Sequence, residues 1–64
     1  MTSYDRGEYD ALPEVLTTAQ AARLLNMSEQ KIRRGARTGE IPSTLIGRSL
    51  RFSKTKLASW VAHG

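Results

Sequence analysis

Apolar and polar positions divide this chain at Pro13. Ahead of it, residues 1–12 are polar and acidic, and only Tyr4 and Tyr9 could anchor them. They show neither helical nor strand periodicity. Residues 1–14 are therefore expected to be a flexible acidic tail, closed by Pro13, which biases its predecessor away from helix. Order is expected from Val15 and Leu16 onward. Thr17-Thr18-Ala19-Gln20 reads as a capping box, in which the threonine and glutamine side chains satisfy each other's backbone N–H groups. Leu16 then packs on Ala21 as the staple, and Ala21, Ala22, Leu24 and Leu25 fall on the buried face of the helix. Asn26 ends it, because asparagine tolerates the left-handed conformation of a helix stop.

A second helix starts immediately. Ser28 supplies its N-cap, and Met27 plugs the turn between the two. Ile32 and Ala36, four residues apart, give this helix a thin apolar stripe. Gln30, Lys31, Arg33, Arg34 and Arg37 make the rest of its surface broad and basic. A small residue (Ala22), a turn residue four on (Asn26) and a β-branched residue six further (Ile32) form a helix-turn-helix pattern. Gly35 stands inside the helix, where glycine costs ~1 kcal/mol relative to alanine. It either admits close approach of a neighbouring backbone or a phosphate, or is simply tolerated.

Thr38-Gly39-Glu40 stops that helix, and Ile41-Pro42 sends the chain out extended. Thr44–Ile46 and Leu50–Phe52 are short strand candidates across Gly47-Arg48-Ser49, a tight hairpin with Arg48 at its tip. Leu45 or Ile46, Leu50 and Phe52 are expected to point inward, since so small a hairpin must pack on the helices. Ser53 caps a last helix carrying Leu57, Trp60 and Val61 at i, i+3 and i+4. Trp60 is expected to be the largest core side chain. Lys54 and Lys56, in the opening turn, fit the positive helix start poorly and are expected to face an external anion. The expected fold is mainly α with a small two-stranded β-hairpin, a winged helix-turn-helix over residues 15–64.

Charge sharpens this picture. The net charge is +4 over 64 residues. Residues 1–15 hold Asp5, Glu8, Asp10 and Glu14 against Arg6 alone, whereas every other lysine and arginine lies beyond them with only Glu29 and Glu40 in opposition. An acidic head on a basic body points to a nucleic-acid partner for the body; the head is either a free tail or a cover that competes for the basic face. Cysteine is absent and His63 is the only histidine, which argues against a disulfide framework, a metal centre or a His-based catalytic triad. No cofactor or catalytic residue is expected. No apolar run reaches membrane-spanning length, and the acidic start does not resemble a signal peptide, so a cytoplasmic location is expected.

Leu16-Thr17, Gln20-Ala21-Ala22, Leu24-Leu25, Met27-Ser28, Ile32, Arg34, Gly39-Glu40-Ile41-Pro42, Ile46-Gly47-Arg48, Arg51-Phe52, Leu57 and Trp60-Val61 together resemble the excisionase-type winged helix-turn-helix family, related to the DNA-binding head of MerR-type regulators. The resemblance runs without a gap from Leu16 to Val61. It departs at Lys31, Gly35 and Lys56, where the family often has threonine, a larger apolar residue and an acidic residue. It implies a non-enzymatic phage or mobile-element protein in the bacterial host cell. Such a protein binds repeats at an attachment site, bends the double-stranded DNA, associates side by side and cooperates with an integrase to favour excision. A small transcriptional regulator on the same fold is the alternative, and an adaptor using its last helix a more distant one. The lack of a further dimerisation helix after Trp60 leans towards the excisionase.

On this reading the second helix enters the major groove, where each base pair presents a distinct donor and acceptor pattern. Gln30 and Arg34 match the family's base readers, with Arg33 beside them. Arg33 also suits phosphates, as do Lys31 and Arg37, and the backbone N–H groups near Thr17 and Thr18 offer a further phosphate site. Arg48 is the wing residue, suited to a narrow, electronegative minor groove.

Overall fold

The structure, a computed structural model, describes residues 4–63. Seven elements follow in order: α1 (Arg6–Ala11), β1 (Val15–Leu16), α2 (Thr18–Leu25), α3 (Glu29–Thr38), β2 (Thr44–Ile46), β3 (Ser49–Ser53) and α4 (Lys54–His63). The fold is a winged helix-turn-helix. The capping box at α2 forms as the residues dictate: Thr17 Oγ1 accepts from the Gln20 N–H at 3.2 Å, and Gln20 Oε1 accepts from the Thr17 N–H at 3.0 Å. Asn26 ends α2 in the left-handed region, at φ 58° and ψ 46°. Ser28 caps α3 by accepting from the Lys31 N–H at 3.2 Å. Only Asn26, Met27 and Ser28 separate the two helices, and Met27 N–H donates to Ala22 O at 2.9 Å to tie the corner.

The sheet has three strands, in the order β1-β3-β2, all antiparallel. The expected hairpin is therefore joined by a third, two-residue strand, whose Leu16 lies opposite Phe52. Ile46 pairs with Ser49, so the turn is two residues, Gly47 and Arg48, one shorter than expected. Gly47 takes a φ of 63°, the positive angle that a two-residue hairpin turn requires at its first central position.

The core is Leu16, Ala21, Ala22, Ile32, Ile41, Phe52 and Leu57. Trp60 is not its largest member: Leu57, on the same face one turn nearer the sheet, is fully buried, whereas Trp60 is half-buried at the edge of the core and lines an open groove with Met27 and Lys31. Leu24 and Leu25 are likewise half-buried. Ile41, in no regular element, is 4% exposed. It fills the space Gly35 leaves: a Cβ on Gly35 would lie 2.5 Å from Ile41 Cδ1 and 2.7 Å from Cγ1. The glycine in the second helix is therefore a packing residue, admitting a side chain and not a backbone or phosphate.

The stretch read as lacking helical periodicity holds α1; that part of the reading covering residues 1–3 lies outside the described residues. Asp5 and Glu8 form a capping box of their own, with bonds of 2.7 and 3.1 Å. The segment is fastened to the body. Glu8 pairs with Arg23 at 3.5 Å, and the Arg23 guanidinium lies 4.3 Å from the centre of the Tyr4 ring. Lys54 Nζ donates to Tyr9 O and Leu12 O, each at 3.0 Å, and sits 4.8 Å from the Tyr9 ring centre. Lys54 thus meets the carbonyl end of α1 and not an external anion. Lys56 is exposed. Glu14 accepts from Ser53 Oγ, from Thr55 Oγ1 at 2.8 Å and from the Thr55 N–H at the mouth of α4. The Ser53 and Thr55 hydroxyls hold its carboxyl below the ordinary carboxylate value.

Candidate nucleic-acid interface

Helix α3 turns Ile32 and Gly35 inward and keeps its long polar side chains out. Gln30, Arg33, Arg34 and Arg37, all exposed, line one shallow groove of about 180 Å³ along its outer surface. The structure thus brings together the three expected major-groove residues and one of the expected phosphate residues. Lys31 lies on the flank away from the hairpin and lines a second groove with Arg34, Glu40 and Trp60. The other flank faces the hairpin. There Arg33, Ala36 and Arg37 on one side, and Ser43, Leu45 and Leu50 on the other, enclose a cleft of about 550 Å³.

Arg33 Nη2 donates to Glu29 Oε1 at 3.2 Å, one helical turn back, with both side chains about half exposed. Among the described residues, Gln30, Lys31, Arg34, Arg37 and Arg48 have no side-chain hydrogen bond or ion pair. Arg34, Arg37 and Arg48 are thus not neutralised by an internal ion pair, and their side chains are exposed. Arg48 stands exposed at the tip of the β2–β3 turn and lines none of these grooves. At the start of α2, the Thr17 N–H is occupied by Gln20. Of the two threonine N–H groups expected to meet a phosphate, only that of Thr18 is left at the helix mouth, beside that of Ala19.

The structure also exposes what the sequence reading turned inward. Leu45 is 68% and Ile46 56% exposed, because the hairpin extends beyond the helices that would cover it. Leu45 lies opposite Leu50, on the ladder face that looks towards α3, and Ile46 lies on the other face. Leu45, Ser43 and Leu50, which line the cleft beside α3, are not among the residues expected at the interface. Two adjacent apolar residues in a three-residue strand were the available signal, since period-two alternation cannot bury both.

Taken together, these features define a DNA-binding helix-turn-helix protein with a β-hairpin wing. Residues 15–64 match the family described as "Helix-turn-helix domain", and the chain belongs to that family. No curated protein and no solved structure matches it. Among the described residues, no helix is long and apolar enough to cross a membrane, and no three His, Cys, Asp or Glu side chains gather to hold a metal ion.

Proposed function

We propose that the protein is a sequence-specific DNA-binding and DNA-bending accessory factor of the excisionase type. Its outward-facing row of Gln30, Arg33, Arg34 and Arg37 carries the reading most directly. Laid in the major groove, α3 presents Gln30 to adenine and Arg34 to guanine, each of which can be held by two parallel hydrogen bonds. Arg33 stands beside them and, with Lys31 and Arg37, neutralises phosphates along the groove walls. The Thr18 N–H at the start of α2 donates to one more phosphate. Arg48 reaches the adjacent minor groove, where a narrow groove concentrates negative potential.

The resemblance to excisionases supplies the rest of the proposal: repeated sites beside a recombination locus, side-by-side assembly on them, an integrase partner and a bacterial host cytoplasm. Footprinting of the purified protein across an attachment region, with and without integrase, tests it. Protection of several direct repeats, with DNA bending that Arg34→Ala and Arg48→Ala both weaken, is the expected result. Protection of a single promoter palindrome would instead favour a transcriptional regulator on the same fold.

A further inference from the structure

We propose that the cleft between α3 and the hairpin is the seat of a single DNA strand, with Leu45 and Leu50 as an apolar floor for its deoxyribose rings. This inference rests on the reading of α3 and the wing given above. If α3 lies in the major groove and Arg48 in the neighbouring minor groove, the sugar–phosphate strand that separates those grooves must pass between helix and wing. The cleft lies in that path. Its composition matches a strand edge-on: Arg33 and Arg37 on the helix side carry charge for phosphates, Ser43 offers a hydroxyl, and Ala36, Leu45 and Leu50 supply apolar surface.

The exposure of Leu45 gains a reason from this. A leucine 68% exposed on a three-residue strand costs solubility and contributes little to the core. Beneath a deoxyribose, whose ring carbons are apolar and which has no 2′-hydroxyl, the same side chain loses its contact with water on binding. Arg33 is held at the rim by Glu29, so a phosphate entering the cleft competes with that carboxylate for the guanidinium.

Neighbouring residues provide the test. Leu45 and Ile46 are both exposed and adjacent, yet they lie on opposite faces of the ladder, and only Leu45 lines the cleft. Binding of the full chain to a 20-base-pair duplex is measured by fluorescence anisotropy over a salt series, with Leu45→Asn, Ile46→Asn, Arg37→Ala and Arg34→Ala beside wild type. Leu45→Asn should weaken binding about fivefold to tenfold through lost apolar burial while leaving the salt slope unchanged. Ile46→Asn should bind as wild type. Arg37→Ala should weaken binding and lower the slope of log K against log salt by about one. If Leu45→Asn binds as wild type while Arg34→Ala is weakened, the strand seat is wrong and the DNA-binding reading survives. Equal weakening by Leu45→Asn and Ile46→Asn would also overturn it, because only one of the two faces the cleft. Failure of the wild-type chain to bind the duplex at low salt would remove the seat together with the reading beneath it.

Discussion

Gly35 and Glu29 show how much single residues decide in so small a molecule. A glycine inside a helix normally costs ~1 kcal/mol against alanine, so Gly35→Ala would be expected to stabilise. Here the added carbon would press on Ile41, itself buried, and overpacking of that kind typically costs about 1–3 kcal/mol. The strain outweighs the propensity gain. Gly35→Ala should lower the melting temperature, and the same change in an Ile41→Ala background should not; a double-mutant cycle by thermal unfolding reads the difference. Glu29 acts on binding instead. Its ion pair with Arg33 is exposed, so the pair contributes little stability, about 0–1 kcal/mol. Glu29→Gln removes the ion pair and takes a negative charge off the proposed DNA-binding face. Duplex affinity should rise a few-fold with the melting temperature nearly unchanged.

At the scale of elements, the two central helices were legible because their instructions are local. A capping box, an asparagine stop and a serine cap act within four residues, and each forms as its residue types require. The hairpin was legible from glycine between apolar runs, although its two-residue turn and its exposed Leu45 were not. Both depend on where the hairpin ends relative to the helices, which is a tertiary matter. Helix α1 escaped for a related reason. Its Asp5–Glu8 box is local, but a six-residue helix does not persist on propensity alone. Its anchors, Arg23 and Lys54, lie in distant parts of the sequence, as do Ser53 and Thr55, which hold Glu14 just beyond it. Replacing Lys54 with methionine removes its bonds to Tyr9 and Leu12. Hydrogen exchange should then show α1 amides losing protection while those of α3 keep theirs.

The junction around Glu14 also sets a pH dependence. Hydrogen bonds hold its carboxyl lower in the folded chain than in the unfolded one, so the folded state binds that proton less readily. Its contribution to stability is complete above the ordinary value of 4.5 and is lost as pH falls through the lower folded value. Glu14→Gln should therefore reduce the acid sensitivity of the melting temperature below that range. An unchanged acid limb would detach Glu14 from the stability of the junction.

For the molecule as a whole, charge and core occupy separate places. The acidic head is fastened to Arg23 and Lys54, and the basic row of α3 is left outward-facing. Among the described residues the core is seven side chains, with Phe52, Leu16, Ile32 and Leu57 its largest fully buried members. Phe52→Ala should cost about 3–5 kcal/mol, enough to unfold a domain of this size at ambient temperature, whereas Trp60→Ala, at the edge, should cost less. Circular dichroism melts of the two variants separate them. The central claim is that α3 and the wing meet DNA from one face. Titration of isotope-labelled protein with a 20-base-pair duplex, followed by amide chemical shifts, tests it most directly. Shifts concentrated in residues 29–38 and 43–50, with α1 and the exposed end of α4 unmoved, are the predicted result. Shifts confined to α1 and α4, with α3 and the hairpin silent, would contradict it.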